Sequence, residues 1–214
     1  MSDAQSISEQ SVARFTERLA TRDPVPGGGS AAAVSGSIAA ALVAMVVELS
    51  LGRPELAGQE RELRRIGETA ASRRRSLLEL AERDAAAYAA VIAARRLGRA
   101  TEAERSTREA AIAAATHDAT LVPMETAESA AEVLELAMQV APLGNPNAVS
   151  DAGVAAHLAA AAVRGALLNV RINLPYLADD DPLRSDASAR VEEMSAAAGR
   201  LEGVAREAVE ARIG

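Results

Sequence analysis

The chain has 214 residues, is 49% hydrophobic and carries a formal net charge of −7, which fits one soluble globular domain and excludes an intrinsically disordered chain. It contains no cysteine and only two histidines, His117 and His157, so disulfides and zinc–cysteine sites are excluded and we expect no metal. All 23 basic residues are arginines, spread along an acidic chain with 1% aromatic residues, so we expect no nucleic-acid partner.

The composition predicts an all-α fold. Alanine, the best helix former, occurs 52 times, whereas one Phe and two Tyr are the only aromatic residues. We predict a single domain over residues 1–214, a bundle of six or seven helices with alanine-rich buried helices at its centre. The first ten residues are acidic and polar where a secretory signal would be basic and then apolar, so we expect a cytoplasmic protein.

The first predicted helix carries one apolar stripe, made by Val12, Phe15 and Leu19. It ends before residues 23–26, where two prolines enforce an extended turn. Ser30 is a natural N-cap for a second, almost wholly apolar helix that extends to about Leu51. A membrane span over residues 25–47 is the alternative, because this stretch has no charge. Its Gly, Ala and Ser content favours a buried helix of a soluble protein and no membrane partner.

A long third helix is predicted over residues 55–98, with apolar residues at spacings of three and four. The next helix begins with a capping box, in which Thr101 is followed by Glu104 three positions later. Pro123 is predicted to start a further helix over residues 124–141, because proline is favoured at the first helical position. This segment again has one apolar stripe.

Ser150 is predicted as the N-cap of another apolar helix, which extends to about Asn173. Asp181 and Pro182 are the expected N-cap and first residue of the last helix. The second helix and the helix after Ser150 are apolar on nearly every face, so each must be surrounded by other structure. A chain of this length can hardly wrap both of them, and we therefore expect a homo-oligomer.

Asp84 lies on the apolar stripe of the third helix. Seven positions separate it from Leu77 and from Val91, and each step of seven leaves a residue only ~20° from the same azimuth. Burial there disfavours the ionised carboxylate and raises its pKa toward neutrality, which suits a general acid or base. The alternative is a structural aspartate, either paired with an arginine of a neighbouring helix or partly exposed at a helix junction.

Two loops lead into helix N-termini. In the first, Gly27 to Gly29 come directly before Ser30, so that free backbone N–H groups and the helix dipole can bind an anion. A flexible hinge is the alternative for this loop. In the second, residues 144–147 lead to Ser150 and Asp151, for which an ordinary capped helix start is the alternative.

Asn169 and Asn173 lie one turn apart on an otherwise apolar helix and must find partners if they are buried. They could recognise the edges of a heterocycle or join neighbouring helices. Asp151 shares their side of the helix but stands eighteen residues before Asn169, ~27 Å away along a straight helix. Either the ligand is long, or two sites or two subunits are involved.

Four motifs in this order resemble the cyclodeaminase/cyclohydrolase family of folate one-carbon enzymes. That family includes the C-terminal half of formiminotransferase-cyclodeaminase and stand-alone methenyltetrahydrofolate cyclohydrolases. The motifs are PVPGGGSAAA at 24–33 with Gly52 and Arg53 after its helix, DAAAY at 84–88, GNPNAVSDAGV at 144–154 and NVRINL at 169–174. Each motif alone is common, whereas all four at these separations are specific.

The resemblance implies an all-helical homodimer that binds a reduced folate and needs neither a metal nor a further cofactor. It implies either hydrolysis of 5,10-methenyltetrahydrofolate to 10-formyltetrahydrofolate (cyclohydrolase) or cyclisation of 5-formiminotetrahydrofolate with release of ammonia (cyclodeaminase). The lack of a fused formiminotransferase region favours the first reaction. A non-catalytic helical dimer that acts as a folate-binding or protein-interaction scaffold is the alternative.

On this resemblance Asp84 is the expected acid/base, with Asp151 as the reserve candidate, because a carboxylate can carry a proton and neutralise the methenyl cation. The expected substrate-binding residues are Gly27, Gly28, Gly29, Ser30, Arg53, Asn145, Asn147, Asn169 and Asn173. Relatives often have a second basic residue and an aromatic residue after the glycine, whereas Pro54 and Glu55 follow Arg53 here, which weakens the expected contact with the glutamate tail. With so few aromatic residues, we expect backbone and amide contacts rather than stacking to recognise the ligand.

Overall fold

The computed structural model describes residues 6–213, apart from the side chain of Asp186. Over this range the fold is all-α, as predicted, with six α-helices and no strand. The helices are α1 Val12–Leu19, α2 Gly28–Glu48, α3 Glu60–Arg95, α4 Glu102–Leu143, α5 Val149–Asn173 and α6 Pro182–Ile213. Short 3₁₀ turns cover Ile7–Glu9, Pro54–Gln59, Pro146–Ala148 and Leu174–Tyr176. Residues 1–5 and Gly214 of the predicted domain lie outside the described range.

The bundle is held together by small side chains. Helix α2 packs against both α3 and α5, α4 packs against α3 and α5, and α6 packs against α4 and α5. A Cβ at Gly36 of α2 would lie 3.2 Å from Leu77 Cδ1 of α3 and 3.5 Å from Ala162 Cβ of α5. Alanines such as Ala40 and Ala159 are completely buried. Closely approaching backbones therefore form the core together with fully buried aliphatic side chains such as Leu63 and Leu134.

Several predicted helix ends are confirmed. Helix α4 begins with the predicted capping box, in which Thr101 Oγ1 accepts from the backbone N–H of Glu104 and the Glu104 carboxylate accepts from that of Thr101. Asp181 Oδ1 accepts from the backbone N–H of Leu183 at 2.9 Å, which caps α6. Helix α1 ends before the two prolines, but only part of its stripe is buried, because Val12 is 79% exposed.

The two predicted serine N-caps are wrong. Helix α2 begins two residues before Ser30, with Gly27 as its N-cap, and the Ser30 hydroxyl bonds to α3 instead. Helix α5 begins before Ser150, with Ala148 as its N-cap, because the 3₁₀ turn Pro146–Ala148 continues directly into it. In both places the chain enters the helix earlier than a local capping rule predicts.

Two further boundaries differ from the prediction. Pro123 does not start a helix, because α4 continues through it without a break. The backbone carbonyl of Ala119, which has no helical donor because residue 123 is proline, accepts a hydrogen bond from a side chain of α5. The third helix is preceded by the separate 3₁₀ turn Pro54–Gln59, so α3 itself begins at Glu60 and ends at Arg95.

The two apolar helices are not fully surrounded by this chain. Gly28–Glu48 and the segment Pro146–Tyr176 are long and apolar enough to cross a membrane. In an apolar stretch of 18 residues within each segment, however, 56% and 50% are buried in the fold, as in core helices of soluble proteins. Each of these neighbouring helices nevertheless exposes an apolar stripe. The stripes, which we call the α2–α5 face, comprise Ile38 and Met45 of α2, Leu49 directly after it, and Val154, Leu168 and Ile172 of α5.

Candidate active site

A cavity of about 200 Å³ lies between the start of α2, the middle of α3 and the end of α5. Pro24 and Val25, from the loop before α2, form part of its edge. Six of the residues singled out in the sequence line it: Gly27, Gly28, Gly29, Asp84, Asn169 and Asn173. The structure therefore brings together the glycine segment, the candidate acid/base and the amide pair, although these lie far apart in the sequence.

Asp84 is the ionisable group of this cavity. Its carboxylate is half-buried, and Oδ2 accepts a hydrogen bond of 2.9 Å from Ser30 Oγ, which also contacts the backbone carbonyl of Ala81 at 3.0 Å. Burial raises the pKa of Asp84, and hydrogen bonds from the hydroxyl and backbone N–H of Ser30 act in the opposite direction. Among the described residues no arginine forms an ion pair with Asp84, so the expected pairing with an arginine of a neighbouring helix is absent.

The absence of a side chain at Gly29 makes room for this carboxylate. A Cβ built on Gly29 would lie 2.1 Å from Asp84 Oδ1 and 2.6 Å from Asp84 Cγ, far inside van der Waals contact. A Cβ on Gly28 would meet only Asn169 Nδ2, at 3.9 Å. Gly29 thus allows the first turn of α2 to lie directly against Asp84, where its main chain forms one wall of the cavity.

Asn173 connects α5 to the irregular part of α4. Its Nδ2 donates to the backbone carbonyl of Ala119 at 2.7 Å. In a regular helix that carbonyl would accept from residue 123, but Pro123 has no N–H to donate. Asn173 therefore supplies the hydrogen bond that the proline removes, and the continuous α4 depends on α5 at this point.

Both amide side chains keep an acceptor for a ligand. The nitrogen of Asn173 is occupied by Ala119, and the Nδ2 of Asn169 donates to the carbonyl of Gly165 at 2.9 Å. Within residues 6–213, no protein group donates to the side-chain oxygen of either asparagine. Because the nitrogens are fixed, the two oxygens form an acceptor pair at the cavity.

Tyr88 was missing from the predicted site residues. It follows Asp84 by one turn of α3, lines the cavity and is 46% exposed. The spacing of four residues, which places Tyr88 on the same face as Asp84, was the signal that could have identified it. An aromatic ring is therefore available at the cavity, contrary to the expectation that stacking is hardly possible in this chain.

The other predicted site residues lie at the opposite end of α2, in a group that we call the second cluster: Arg53, Asn145, Asn147 and Asp151. Helix α2 has 21 residues, so its ends are ~30 Å apart. Arg53 follows its C-terminal end and forms an ion pair of 2.6 Å with Glu55. Asp151 lies in the first turn of α5, five turns from the amide pair. None of these residues lines the cavity of Asp84 within one chain.

Asn145 has a structural task in the second cluster. Its backbone N–H donates to Ser50 Oγ at 2.7 Å, its Nδ2 donates to the carbonyl of Leu49 at 3.1 Å, and its Oδ1 accepts from the N–H of Asn147 at 3.0 Å. The side chain is buried and all of its polar groups are used. It fastens the loop before α5 to the end of α2.

The two histidines belong to other parts of the surface. His117 Nδ1 lies 2.9 Å from Asp181 Oδ2, and His157 Nδ1 lies 2.8 Å from Glu202 Oε1. Neither lines the cavity. Among the residues that the structure describes, no group of three or more His, Cys, Asp or Glu could hold a metal ion. The cavity instead offers a carboxylate with a raised pKa, two amide acceptors and the backbone of a helix start, a set suited to moving protons at a bound heterocycle.

Comparisons with known proteins agree with this geometry. A sequence model described as formiminotransferase-cyclodeaminase matches residues 11–193. The methenyltetrahydrofolate cyclohydrolase of Methylorubrum extorquens is 37% identical over 204 residues, which cover 95% of this chain and 98% of that protein. The formimidoyltransferase-cyclodeaminase of Rattus norvegicus is 33% identical over 176 residues, which cover 82% of this chain and 32% of that longer protein.

A solved structure gives the same picture. The crystal structure of formiminotetrahydrofolate cyclodeaminase from Thermotoga maritima matches with a TM-score of 0.85 and 27% sequence identity. The match covers 97% of this chain and 100% of the other. The sequence match extends over most of the chain and the structural match over nearly all of it. The chain therefore belongs to the formiminotransferase-cyclodeaminase family.

Proposed function

We propose that the chain is a folate one-carbon enzyme that hydrolyses 5,10-methenyltetrahydrofolate to 10-formyltetrahydrofolate. The observation that carries this proposal is the position of Asp84, a half-buried carboxylate with a raised pKa. It shares one cavity with the amide pair, Asn169 and Asn173, and with the main chain of Gly27 to Gly29, which we call the glycine wall. The cyclohydrolase of Methylorubrum extorquens, similar over nearly its whole length, supports this choice of reaction.

In the proposed reaction, water adds to the cationic methenyl carbon between N5 and N10. The ionised carboxylate of Asp84 takes one proton from that water and, before this step, neutralises part of the positive charge of the substrate. The tetrahedral adduct then collapses. Its hydroxyl loses the second proton as the formyl C=O forms, the bond from carbon to N5 breaks, and N5 takes up a proton from Asp84. One proton is released to solvent in the complete reaction.

The cavity offers partners for the pterin part of such a substrate. The oxygens of Asn169 and Asn173 accept no hydrogen bond from the described protein residues, so they can accept from the N–H groups of the ring. Tyr88 provides a flat apolar surface beside them. Gly27, Gly28 and Gly29 let the ring approach the main chain at the start of α2.

The cyclodeaminase reaction is the second candidate, favoured by the structural similarity to the Thermotoga maritima enzyme of that name. There N10 would attack the formimino carbon and lose its proton, and the departing nitrogen would gain two protons, that of N10 and one from Asp84, and leave as ammonia while the methenyl cation forms. A protonated carboxylate serves this step, and the raised pKa of Asp84 makes that form accessible. A non-catalytic folate-binding scaffold is the remaining alternative.

The test compares wild-type protein with Asp84→Asn on two substrates. We expect the wild type to accelerate the loss of the methenyl absorbance of 5,10-methenyltetrahydrofolate, and the variant to lose this activity with unchanged helicity by circular dichroism. Release of ammonia from 5-formiminotetrahydrofolate would assign the cyclodeaminase reaction instead. Folate binding without turnover of either substrate would support the scaffold.

We further propose that the active form is a homodimer in which a second copy covers the α2–α5 face. The six large apolar side chains of this face are each at least 38% exposed in one chain, more than isolated surface positions would account for. In a twofold dimer with the α2 helices antiparallel, the second cluster of one subunit would approach the cavity of the other. This arrangement would reconcile the ~30 Å between Asp151 and Asp84 with one shared site.

A further inference from the structure

A second cavity of about 200 Å³ adjoins the first and continues toward the end of α3. The two cavities share Tyr88, Ala119, Ile172 and Asn173 in their walls. The second one adds Val91, Arg95, Thr116 and Tyr176. Together the cavities form one elongated groove, with the proposed acid/base near one end and an arginine near the other.

Helix periodicity places Arg95 on the groove side of α3. It follows Asp84 by eleven residues, so the two share an azimuth to within ~20° and lie ~16 Å apart along the helix. A ligand that reacts at Asp84 and reaches Arg95 must therefore extend well beyond a single fused ring.

The guanidinium of Arg95 has no anionic partner in the described part of the chain. Arg73 and Arg83, which line a different cavity, are ion-paired with Glu132 and Glu125. Arg95 has no carboxylate within ion-pair distance among residues 6–213, and its guanidinium lies over the ring of Tyr176, 5.7 Å from the centroid. Both side chains are exposed, and the ring contacts the cation without neutralising its charge.

Thr116 provides an independent observation on the same cavity. It is 3% exposed, and its Oγ1 has no hydrogen-bond partner among the described residues. A buried hydroxyl without a partner is costly, and such groups in native structures require an explanation. Thr116 lines the second cavity with its hydroxyl buried in the cavity wall, so a polar group of a ligand would supply the missing partner after a change of the Thr116 rotamer.

We propose that the second cavity is the subsite for the anionic aryl tail of the substrate, with Arg95 binding a tail carboxylate. The ring between the reacting carbon and the carboxylate would lie against Tyr88 and Ile172, and Thr116 would bond to a polar atom of the tail. This inference rests on the proposed function, because the tail is that of a folate. It also replaces Arg53, whose guanidinium is paired with Glu55, as the tail-binding arginine.

The competing explanation is that Arg95 serves the helix alone. It lies in the last turn of α3, where a cation interacts favourably with the helix dipole. Arg96 is the matched control, because it lies at the same helix end and is exposed like Arg95 but does not line the cavity. If Arg95 serves only the helix dipole, substitutions of Arg95 and Arg96 should have similar effects. If Arg95 binds the ligand, only its substitution should weaken ligand binding.

The experiment measures equilibrium binding of 5-formyltetrahydrofolate and of the same compound with both tail carboxylates converted to amides. We expect Arg95→Gln to weaken binding of the charged ligand about ten-fold or more, since a hydrogen bond to a charged group is lost, and to change binding of the diamide less than about two-fold. Arg95→Lys should restore part of the affinity. Arg96→Gln should change neither ligand.

Equal effects of Arg95→Gln on both ligands, or no effect on either, would overturn the subsite. Binding does not depend on turnover, so the two proposals can fail separately. Tail-dependent binding without catalysis would support the subsite and reject the proposed reaction. Catalysis without tail-dependent binding would support the reaction and reject the subsite. Failure of the wild-type protein to bind either ligand would reject both.

Thr116→Val tests the hydroxyl separately, because it keeps the shape of the side chain. We expect binding of 5-formyltetrahydrofolate to weaken about three- to ten-fold, the effect of one hydrogen bond, with no loss of thermal stability in the free protein. Unchanged affinity would remove Thr116 from the subsite.

Discussion

The side chain of Asn173 donates to the carbonyl of Ala119, which Pro123 leaves without its helical donor. We expect Asn173→Ala to lower the free energy of unfolding by about 1–3 kcal/mol, because a buried carbonyl loses its partner. In a Pro123→Ala background, residue 123 can donate within α4, so the same substitution should cost less. The measurement is a double-mutant cycle by urea unfolding.

This cycle separates the bond from the other effects of each substitution. Pro123→Ala also removes a steric conflict in the helix, but that change appears in both arms and cancels. Equal costs of Asn173→Ala in the two backgrounds would contradict the coupling.

The contact between Gly29 and Asp84 predicts a strong effect of a single methyl group. Gly29→Ala would place Cβ 2.1 Å from Asp84 Oδ1, so the carboxylate or the start of α2 must move. A displacement of this size should lower kcat/KM by about a hundred-fold or more. The matched control is Gly199→Ala, in the middle of α6, where a Cβ meets nothing within 4 Å. Similar activity of the two variants would contradict the prediction.

The buried charge of Asp84 predicts a gain in stability when it is removed. Because burial raises the pKa of Asp84 in the folded state, the folded protein holds more protons than the unfolded chain between the two pKa values. Stability therefore falls as the pH rises through this window, and above it the full cost of the buried charge is present. Asp84→Asn, which cannot ionise, should be more stable than the wild type at pH 7 in urea unfolding.

The difference should disappear below the unfolded pKa of about 3.9, where the wild-type side chain is neutral in both states. A variant that is less stable than the wild type at pH 7 would mean that the Ser30 hydrogen bonds outweigh burial. Loss of activity with a gain of stability is the combination expected of a residue retained for catalysis.

Ser30 predicts the direction of a pH shift. Its hydroxyl stabilises the ionised form of Asp84, so Ser30→Ala should raise the pKa of that carboxyl further. If the ionised carboxylate is the base, the acid limb of the pH profile of kcat/KM should move to higher pH. Ser37→Ala is the control, because that hydroxyl also joins α2 to α3, donating to the carbonyl of Arg74 at 3.0 Å. An acid limb that stays in place would show that Asp84 does not set it.

The exposed apolar face predicts the oligomeric state. We expect the wild type to be a dimer by light scattering and Met45→Glu, which places a charge in the α2–α5 face, to be a monomer with reduced activity. Val204→Glu serves as the control, because Val204 is 50% exposed on α6, outside that face. A monomeric wild type, or equal behaviour of the two variants, would contradict the dimer.

A mixing experiment tests whether subunits share the site. Asp84→Asn and Asp151→Asn should each be inactive as pure proteins. When they are mixed and reassembled at random, about a quarter of the wild-type activity should return, because half of the dimers are mixed and each has one intact site. An active Asp151→Asn protein would place the second cluster outside the catalytic unit.

Two features that depend on residues close together in the sequence were predicted correctly. The seven-residue spacing around Asp84 places its carboxylate on the buried side of α3, and the capping box at Thr101 marks the start of α4. Pro123 was misinterpreted because its compensation comes from Asn173, fifty residues later in the sequence. Ser30 was misassigned for a similar reason, since its hydroxyl bonds to a different helix.

The site itself was predicted only in part. The predicted length of the helix that contains both already placed Asp151 far from the amide pair. The structure adds that Arg53 and Asn145 lie with Asp151, near the C-terminal end of α2. Sequence alone could not sort the residues into these two groups, because the sorting depends on which helix ends meet. Tyr88 was missed although its spacing from Asp84 was visible.

The glycine wall makes the cavity hard to reshape. Where most binding sites present side chains that can rotate to suit a new molecule, one side of this site is polypeptide backbone. Small residues pack closely behind it, since a Cβ at Gly165 of α5 would lie 3.4 Å from Ala32 Cβ of α2. A different ligand shape would require whole helices to shift, and these cannot slide without opening voids. Substrate preference in this protein is therefore a property of the scaffold, and we expect it to resist change by point substitutions along that wall.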